Sequence, residues 1–251
     1  MAIKLVTIPT YNERENVERM IHTVMALPSQ FEVLIIDDNS PDGTAGIVKS
    51  LMLQFPNRLH ILERAGKQGL GKAYLAGFEW ALKHGADYIF EMDCDFSHNP
   101  NDLEKLLQAC ENDGADVAIG SRYIRGINVI NWPLGRVLMS YFASMYVRII
   151  TGMKIMDCTA GFKCFRREVL EVIDLEGIKL RGYGFQIEMK FTAQMHGFNL
   201  VEVPIIFTDR QEGTSKMSGG IFNEAFWGVI KMKIRSWFRK YEQKAKLHET
   251  P

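Results

Sequence analysis

Two apolar, strand-like runs that stop abruptly at aspartates constrain this chain more than any other feature. VLII ends at Asp37-Asp38, and YIFEM ends at Asp93-Cys94-Asp95. A buried strand that terminates in carboxylates delivers them to the lip of a sheet, and in open α/β sheets that lip is where ligands bind. Asp93 and Asp95 are separated by one residue, so on extended chain their side chains leave on the same side. Paired oxygen donors suit a hard divalent ion such as Mg2+ or Mn2+, which commonly bridges carboxylates to substrate phosphates. The pattern points to an enzyme acting on a phosphorylated, nucleotide-linked substrate.

The first half alternates strand and helix signals. Strands are expected at Ile3–Ile8, Phe31–Ile36, Leu59–Leu62, Tyr88–Met92 and Val117–Ile119, with helical periodicity between them. Asn12 with Glu15 resembles a capping box for the first helix, and Ser40 or Asp42 can cap the second. Strands separated by helices imply right-handed βαβ units and a mostly parallel sheet. Neither a GxGxxG fingerprint after the first strand nor a P-loop is present. Beyond about residue 124 the spacing predicts a helix over Pro133–Ile150, a short element at Phe162–Phe165, a helix at Phe185–His196 and a strand at Leu200–Phe207. A polar, glycine-rich loop over Asp209–Gly220, expected to be mobile when empty, leads into an amphipathic helix over Ile221–Tyr241.

The bulk numbers restrict partners. Formal net charge is zero over 251 residues, so no global field recruits nucleic acid. Between 231 and 246, however, seven basic residues face Glu242 alone, an asymmetry that needs a local explanation. Cys94, Cys110, Cys158 and Cys164 form no CxxC pair and fit reduced thiols in a cytoplasmic protein. MAIKLVTIPTYNE lacks a signal-peptide pattern, and no apolar run is long enough to span a bilayer.

An ordered series of short motifs runs through the chain: PTYNERENVE (9–18), IDDNSPDGT (36–44), GLGKAY (69–74), MDCDFSHNP (92–100), GSRY (120–123), NWPLGR (131–136), DCTAGF (157–162), GFQIEM (184–189), EVPIIF (202–207) and R-x-x-G-x-SK (210–216). In this order they resemble the polyprenol-phosphate (dolichol-phosphate) mannosyltransferases, inverting glycosyltransferases, over nearly the whole chain to about residue 220. The resemblance implies a GT-A fold: a Rossmann-like, mostly parallel central sheet flanked by helices, with a C-terminal amphipathic helix. It divides the chain into a catalytic domain over 1–220, with a nucleotide-sugar half to 123 and an acceptor half from 124, and a basic helical tail over 221–251. It further implies transfer of mannose from GDP-mannose to polyprenyl phosphate, with Mg2+ or Mn2+ as cofactor.

The resemblance carries roles onto particular residues. Asp93 and Asp95 fall on its DxD metal motif; with Arg122 and Arg210 they make up the implied catalytic set. Pro9, Tyr11, Glu13, Ile36, Asp38 and Cys94 join Asp93, Asp95 and Arg122 around the donor. Arg122, Arg136, Arg210, Ser215 and Lys216 gather around the acceptor phosphate, where guanidinium groups match phosphate oxygens bidentately. Lys67, Ser97, Asp157, Gln186 and Glu188 are secondary candidates. Lys67 sits in a loop that could equally be solvated, Ser97 stands where one branch has glutamine, and Asp157 is as readily structural as functional. Gly184 replaces a lysine found in some relatives. Asp37 could serve its loop instead of a ligand.

The C-terminal helix carries Phe222, Phe226, Val229, Ile230, Ile234 and Trp237 on one broad face, with Lys231, Arg235 and Arg239 opposite. That arrangement suits a helix lying in lipid headgroups; the alternative is a helix packed on the core with a solvated basic face. Peripheral attachment to the cytoplasmic face of a membrane is the expectation, through this helix, the lipid substrate or a membrane-anchoring partner. Three rival functions remain open: a UDP-glucose-dependent glucosyltransferase to the same lipid, a transferase to a soluble sugar hydroxyl, and a non-catalytic nucleotide-sugar-binding subunit.

Overall fold

A computed structural model of the chain describes residues 2–209 and 220–244. The first half builds as its periodicity requires: β1 (Lys4–Thr10), α1 (Val17–Met25), β2 (Glu32–Asp37), α2 (Thr44–Met52), β3 (Leu59–Glu63), α3 (Leu70–His84), β4 (Tyr88–Glu91), α4 (Asp102–Glu111) and β5 (Val117–Ser121). The second half adds β6 (Val129–Ile130), α5 (Leu134–Thr151), β7 (Lys163–Arg166), α6 (Arg167–Val172), α7 (Gly182–Met195), β8 (Leu200–Pro204), β9 (Phe207–Thr208) and α8 (Gly220–Ser236). Seven strands form one sheet in the order β3-β2-β1-β4-β7-β5-β8, so the sheet crosses residue 123 without interruption. Among the described residues, only β7 runs antiparallel to its neighbours, β4 and β5.

The β2, β1 and β4 strands are buried on both faces and read as continuous apolar runs, as parallel strands covered on both sides do. One apolar cluster joins the sheet to α3, α5, α6, α7 and α8; the other joins it to α1, α2 and α4. The chain leaves β1 toward β2 and β3, then returns to place β4 on the other side of β1. This reversal opens a crevice at the carboxyl ends of β1 and β4, the switch point where open α/β sheets bind ligands. Tyr11 and Glu13 follow β1 there, and Asp93 and Asp95 follow β4.

Three local expectations need correction. Asn12 does not cap α1: it lies in a left-handed turn at φ 57, and α1 begins five residues later at Val17. Its backbone N–H donates to Ser40 Oγ at 3.0 Å, and that of Glu13 to Thr44 Oγ1 at 3.1 Å, so the loop docks on the β2–α2 turn instead. The run Leu200–Phe207 is not one strand. Pro204 supplies no N–H to continue the ladder, and the chain departs the main sheet to pair β9 with β6 in a separate two-stranded sheet. The last helix ends at Ser236 rather than Tyr241.

Candidate active site

A cleft of about 500 Å³ opens at the switch point and is lined by Pro9, Tyr11, Glu13, Asp38, Lys67, Asp93, Cys94, Asp95, Ser97, Arg122, Arg136 and Gln186 among others. Asp93 and Asp95 therefore share one concavity with Arg122 and Arg136. Arg210, Ser215 and Lys216 lie outside the described residues, as do all residues from 210 to 219, on which the expectation of a mobile loop falls. Ile36 does not reach the cleft. It is fully buried in the core, where its side chain fills the space that a Cβ on Gly77 of α3 would enter, 2.5 Å from Ile36 Cδ1. Glu188 turns away as well, accepting from the backbone N–H groups of Lys179 and Leu180 at 2.8 and 2.7 Å.

The aspartate loop is held tightly. Asp95 Oδ1 accepts the Ser97 N–H at 3.1 Å, across Phe96 in the left-handed conformation at φ 57. An aromatic residue adopts that backbone only where its surroundings enforce it; here the Arg19 guanidinium sits 4.0 Å from the Phe96 ring centroid. Asp93 Oδ1 accepts from Tyr74 Oη at 3.4 Å. Two carboxylates presented on one wall supply the hard oxygen donors that a magnesium-like ion prefers, so the donor set fits a divalent cation.

On the β1–β2 side, Asp37 and Asp38 separate in role. Asp37 is consumed by its loop, accepting from Thr10 Oγ1 at 2.9 Å and from Ser40 N and Oγ at 2.9 and 2.6 Å. Asp38 faces the cleft and takes Arg64 Nη1 at 2.7 Å. Burial pushes its pKa above the usual carboxylate value although Arg64 opposes the shift. Lys67 lies 4.9 Å from the Tyr11 ring centroid, closing the same corner.

The opposite wall is basic and aromatic. Arg122 is only 7% exposed, and its fork is already engaged: Nε and Nη2 donate to Asp157 at 2.7 Å each, and Nη2 also to Thr159 Oγ1 at 2.7 Å. Its backbone N–H reaches Asp157 as well, at 3.1 Å. Burial alone would raise the pKa of Asp157, yet the guanidinium outweighs it and holds the carboxyl below its ordinary value. Arg122 is thus a fixed charge in the wall. Arg136 is the more exposed counterpart, with about a third of its side chain accessible, lying 4.1 Å over the Trp132 ring and paired with Asp209 at 2.9 Å. Arg181, at the N-terminus of α7, completes the cationic side.

Behind the floor lies a buried polar layer that the sequence reading missed. Lys163 Nζ donates to Glu91 Oε2 at 3.0 Å and to Gln186 Oε1, while Gln186 Nε2 donates to the same Glu91 oxygen at 2.7 Å. Lys190 Nζ donates to Ala160 O at 2.6 Å; burial, reinforced by Lys163, drops its pKa to about 7. Glu91 and Lys163 face one another in the β4–β7 register. A charge inside each apolar run, YIFEM and GFKCF, was the available signal.

His98 also lines the cleft, its ring stacked on Phe162 at 4.9 Å and edge-on to Phe207 at 5.1 Å. Burial lowers its pKa from 6.5 to about 4. A histidine depressed in this way contributes stability fully above its unfolded value and loses it as pH falls toward the folded one. Acidification from about pH 6.5 to 4 is therefore expected to shift the denaturant midpoint of the wild-type protein downward more steeply than that of His98→Asn. Equal slopes would contradict the assignment.

Comparison with known proteins decides the family. Residues 5–174 match the family model for glycosyl transferase family 2. Polyprenol monophosphomannose synthase of Mycolicibacterium smegmatis is 48% identical over 92% of this chain and 87% of its own length. Undecaprenyl-phosphate mannosyltransferase of Micrococcus luteus is 43% identical over 90% of this chain and 92% of its own length. The chain belongs to the polyprenol-phosphate mannosyltransferases of glycosyl transferase family 2. The GT-A architecture of this glycosyltransferase is shared with glucosyl-3-phosphoglycerate synthase from Mycobacterium tuberculosis, solved with Mn2+, UDP-glucose and phosphoglyceric acid. That structure superposes with a TM-score of 0.70 over 92% of this chain and 80% of that one, at 14% identity.

Beside the cleft lies a second cavity of about 340 Å³ with mostly apolar walls. It shares Arg122, Trp132, Arg136, Thr159 and Tyr183 with the first and continues along α5, α7 and α8 through Phe142, Tyr146, Ile187, Phe226 and Val229. The charged cleft and the apolar cavity therefore adjoin at the basic residues Arg122 and Arg136.

Proposed function

We propose that this enzyme transfers mannose from GDP-mannose to the phosphate of a polyprenyl phosphate by a single inverting displacement, giving a β-linked lipid-phosphate sugar. One observation carries the reading: acidic and basic side chains line one cleft, and its two arginines Arg122 and Arg136 also border an adjoining apolar cavity. A nucleotide sugar suits the first chamber and a prenyl chain the second, with the acceptor phosphate at Arg122 and Arg136 between them. The base and ribose fall to Tyr11, Glu13 and Asp38, through ring contact and carboxylate acceptors.

Asp93 and Asp95 are the residues that would hold a divalent cation, a reading supported by the Mn2+ in the Mycobacterium tuberculosis neighbour. Bound there, the ion supplies Lewis-acid charge to the departing nucleoside diphosphate. A phosphate monoester has its second pKa near ~6 and is already largely dianionic at neutral pH. No general base is required to activate it. The protein's task is to hold two anions in line against their repulsion, through positioning and fixed charge. The Arg122–Asp157 fork makes that charge rigid, and Arg136 can exchange Asp209 for a phosphate oxygen.

Arg136→Ala is expected to lower kcat/KM for polyprenyl phosphate about 10–100-fold, the worth of a charged hydrogen bond, while the affinity for GDP-mannose stays within a factor of two or so. Radiolabel transfer with varied lipid acceptor checks this. In the same assay, label from GDP-mannose should enter organic-extractable lipid only with Mg2+ or Mn2+ present. Label from UDP-glucose alone would assign the glucosyl reading, and no transfer from either would favour a binding subunit.

We further place the enzyme peripherally on the cytoplasmic face of a membrane. No helix among the described residues is long and apolar enough to cross one. Instead α5 and α8, joined by the stacked rings of Tyr146 and Phe226 at 4.6 Å, expose apolar side chains next to the second cavity. Leu134 and Ile149 on α5 are 72% and 73% exposed, and Trp227, Trp237 and Phe238 project around α8. Val229 and Met232 turn inward, so α8 both packs on the core and presents an apolar margin with exposed Lys231 and Arg235.

A further inference from the structure

Glu32, His60 and His84 meet at the end of the sheet opposite the cleft. Glu32 opens β2, His60 is the second residue of β3 and sits opposite Leu34, and His84 ends α3, which runs back from the cleft. Both imidazole Nε2 atoms face one Glu32 oxygen, at 3.0 Å from His60 and 2.9 Å from His84, and one donor atom from each of the three residues lies within 4.8 Å of the others. All three side chains are partly buried, with 17%, 17% and 30% of their surface exposed. Trp80, one turn before His84, stacks on that imidazole at 4.4 Å and lies 4.9 Å from His60, fixing both rings from the side. None of these residues belongs to the transfer chemistry.

We propose that Glu32, His60 and His84 form a second metal site that takes a borderline transition-metal ion such as Zn2+. Two imidazoles and one carboxylate are a common zinc donor set that leaves a position for water, and imidazole donors favour zinc, copper or nickel over magnesium. Ligands at zinc–nitrogen and zinc–oxygen bond lengths stand about 3.3 Å apart in tetrahedral geometry. The two nitrogen–oxygen pairs therefore need to open by only a few tenths of an ångström, and the two nitrogens already lie within 4.8 Å of each other. Without an ion, each imidazole donates its Nε2–H to the shared carboxylate; with one, the same nitrogens present lone pairs to it. The ion would pin β3, the edge strand of the sheet, and its neighbour β2 to the end of α3. Its effect is on the folded state, by mass action, and not on the reaction.

The test uses the full chain stripped of metal, with excess Mg2+ present to occupy the cleft aspartates. Titration with Co2+ is expected to give one equivalent of visible ligand-field absorption together with fluorescence quenching that disappears in Trp80→Phe. Zn2+ should displace the Co2+ and raise the melting temperature. His84→Gln lies partly exposed at a helix end, and its fold is checked by circular dichroism. There the affinity for Zn2+, measured against a chromophoric chelator, is expected to fall by more than the roughly 10–100-fold that loss of an outer-shell partner costs; His60→Gln should behave alike. Absent absorption in folded wild-type protein would overturn the proposal. So would Co2+ binding that survives both histidine replacements or is lost only in Asp93→Asn. Because binding is read spectroscopically, these outcomes stand apart from the transferase activity.

Discussion

Asp95→Asn is expected to lower mannosyl transfer by about 10³-fold while leaving the protein folded. Asparagine keeps the oxygen that accepts the Ser97 N–H, so the left-handed turn at Phe96 survives. What disappears is one of two negative charges on the wall assigned to the donor diphosphate. Loss of a single preorganised group that stabilises developing charge typically costs about 10²–10³-fold in kcat, and a carboxylate proposed to hold a Lewis-acid ion belongs at the upper end. The dependence of rate on Mn2+ should move to higher concentration in the variant. Steady-state kinetics across a Mn2+ series, with circular dichroism as the folding control, measures both; a loss under about tenfold would remove Asp95 from the chemistry.

The second large effect is on stability. Asp157→Ala strips a fully buried carboxylate from Arg122 and leaves the guanidinium without its two short bonds. Removing one partner of a buried pair costs about 3–5 kcal/mol, a sizeable part of the roughly 5–15 kcal/mol that separates folded from unfolded domains. Urea unfolding is expected to show a loss of that size. The double replacement Arg122→Met with Asp157→Leu should recover most of it, since matched apolar residues can substitute for a buried pair, yet it should remain inactive toward polyprenyl phosphate. Asp157→Ala as stable as wild type would contradict the view that this pair anchors the acceptor wall. The sign with pH follows from the depressed carboxyl: the contribution is intact above the ordinary carboxylate value near 3.8 and is lost as pH falls through the lower folded-state value.

Much of this site could be read from the chain because it sits at strand ends. The runs VLII and YIFEM announce buried strands, and the aspartates behind them reach the cleft for the same reason that the strands are apolar. Ile36 shows the limit of carrying a role over by resemblance: it lies one residue before the aspartates, on the strand side of the lip, and its alternation sends the side chain into the core against α3. Glu91, Lys163 and Lys190 were illegible for a different reason. Their partners lie 23 to 95 residues away in the chain, and only the antiparallel insertion of β7 between β4 and β5 brings Lys163 opposite Glu91. Arg122 was legible as a site residue but not as a locked one, because its partner Asp157 comes from a loop 35 residues on. The apolar cavity depends on α5 packing beside α8, which periodicity within either helix does not disclose.

The account rests on two opposed walls, one for each substrate, acting across a single cleft. Isothermal titration of GDP-mannose with Mn2+, and separately of a short-chain polyprenyl phosphate, into Asp95→Asn and Arg136→Ala tests that division directly. Asp95→Asn should lose donor affinity and keep the acceptor, and Arg136→Ala should do the reverse. If both replacements weaken the same ligand and spare the other, the two walls do not divide the substrates between them.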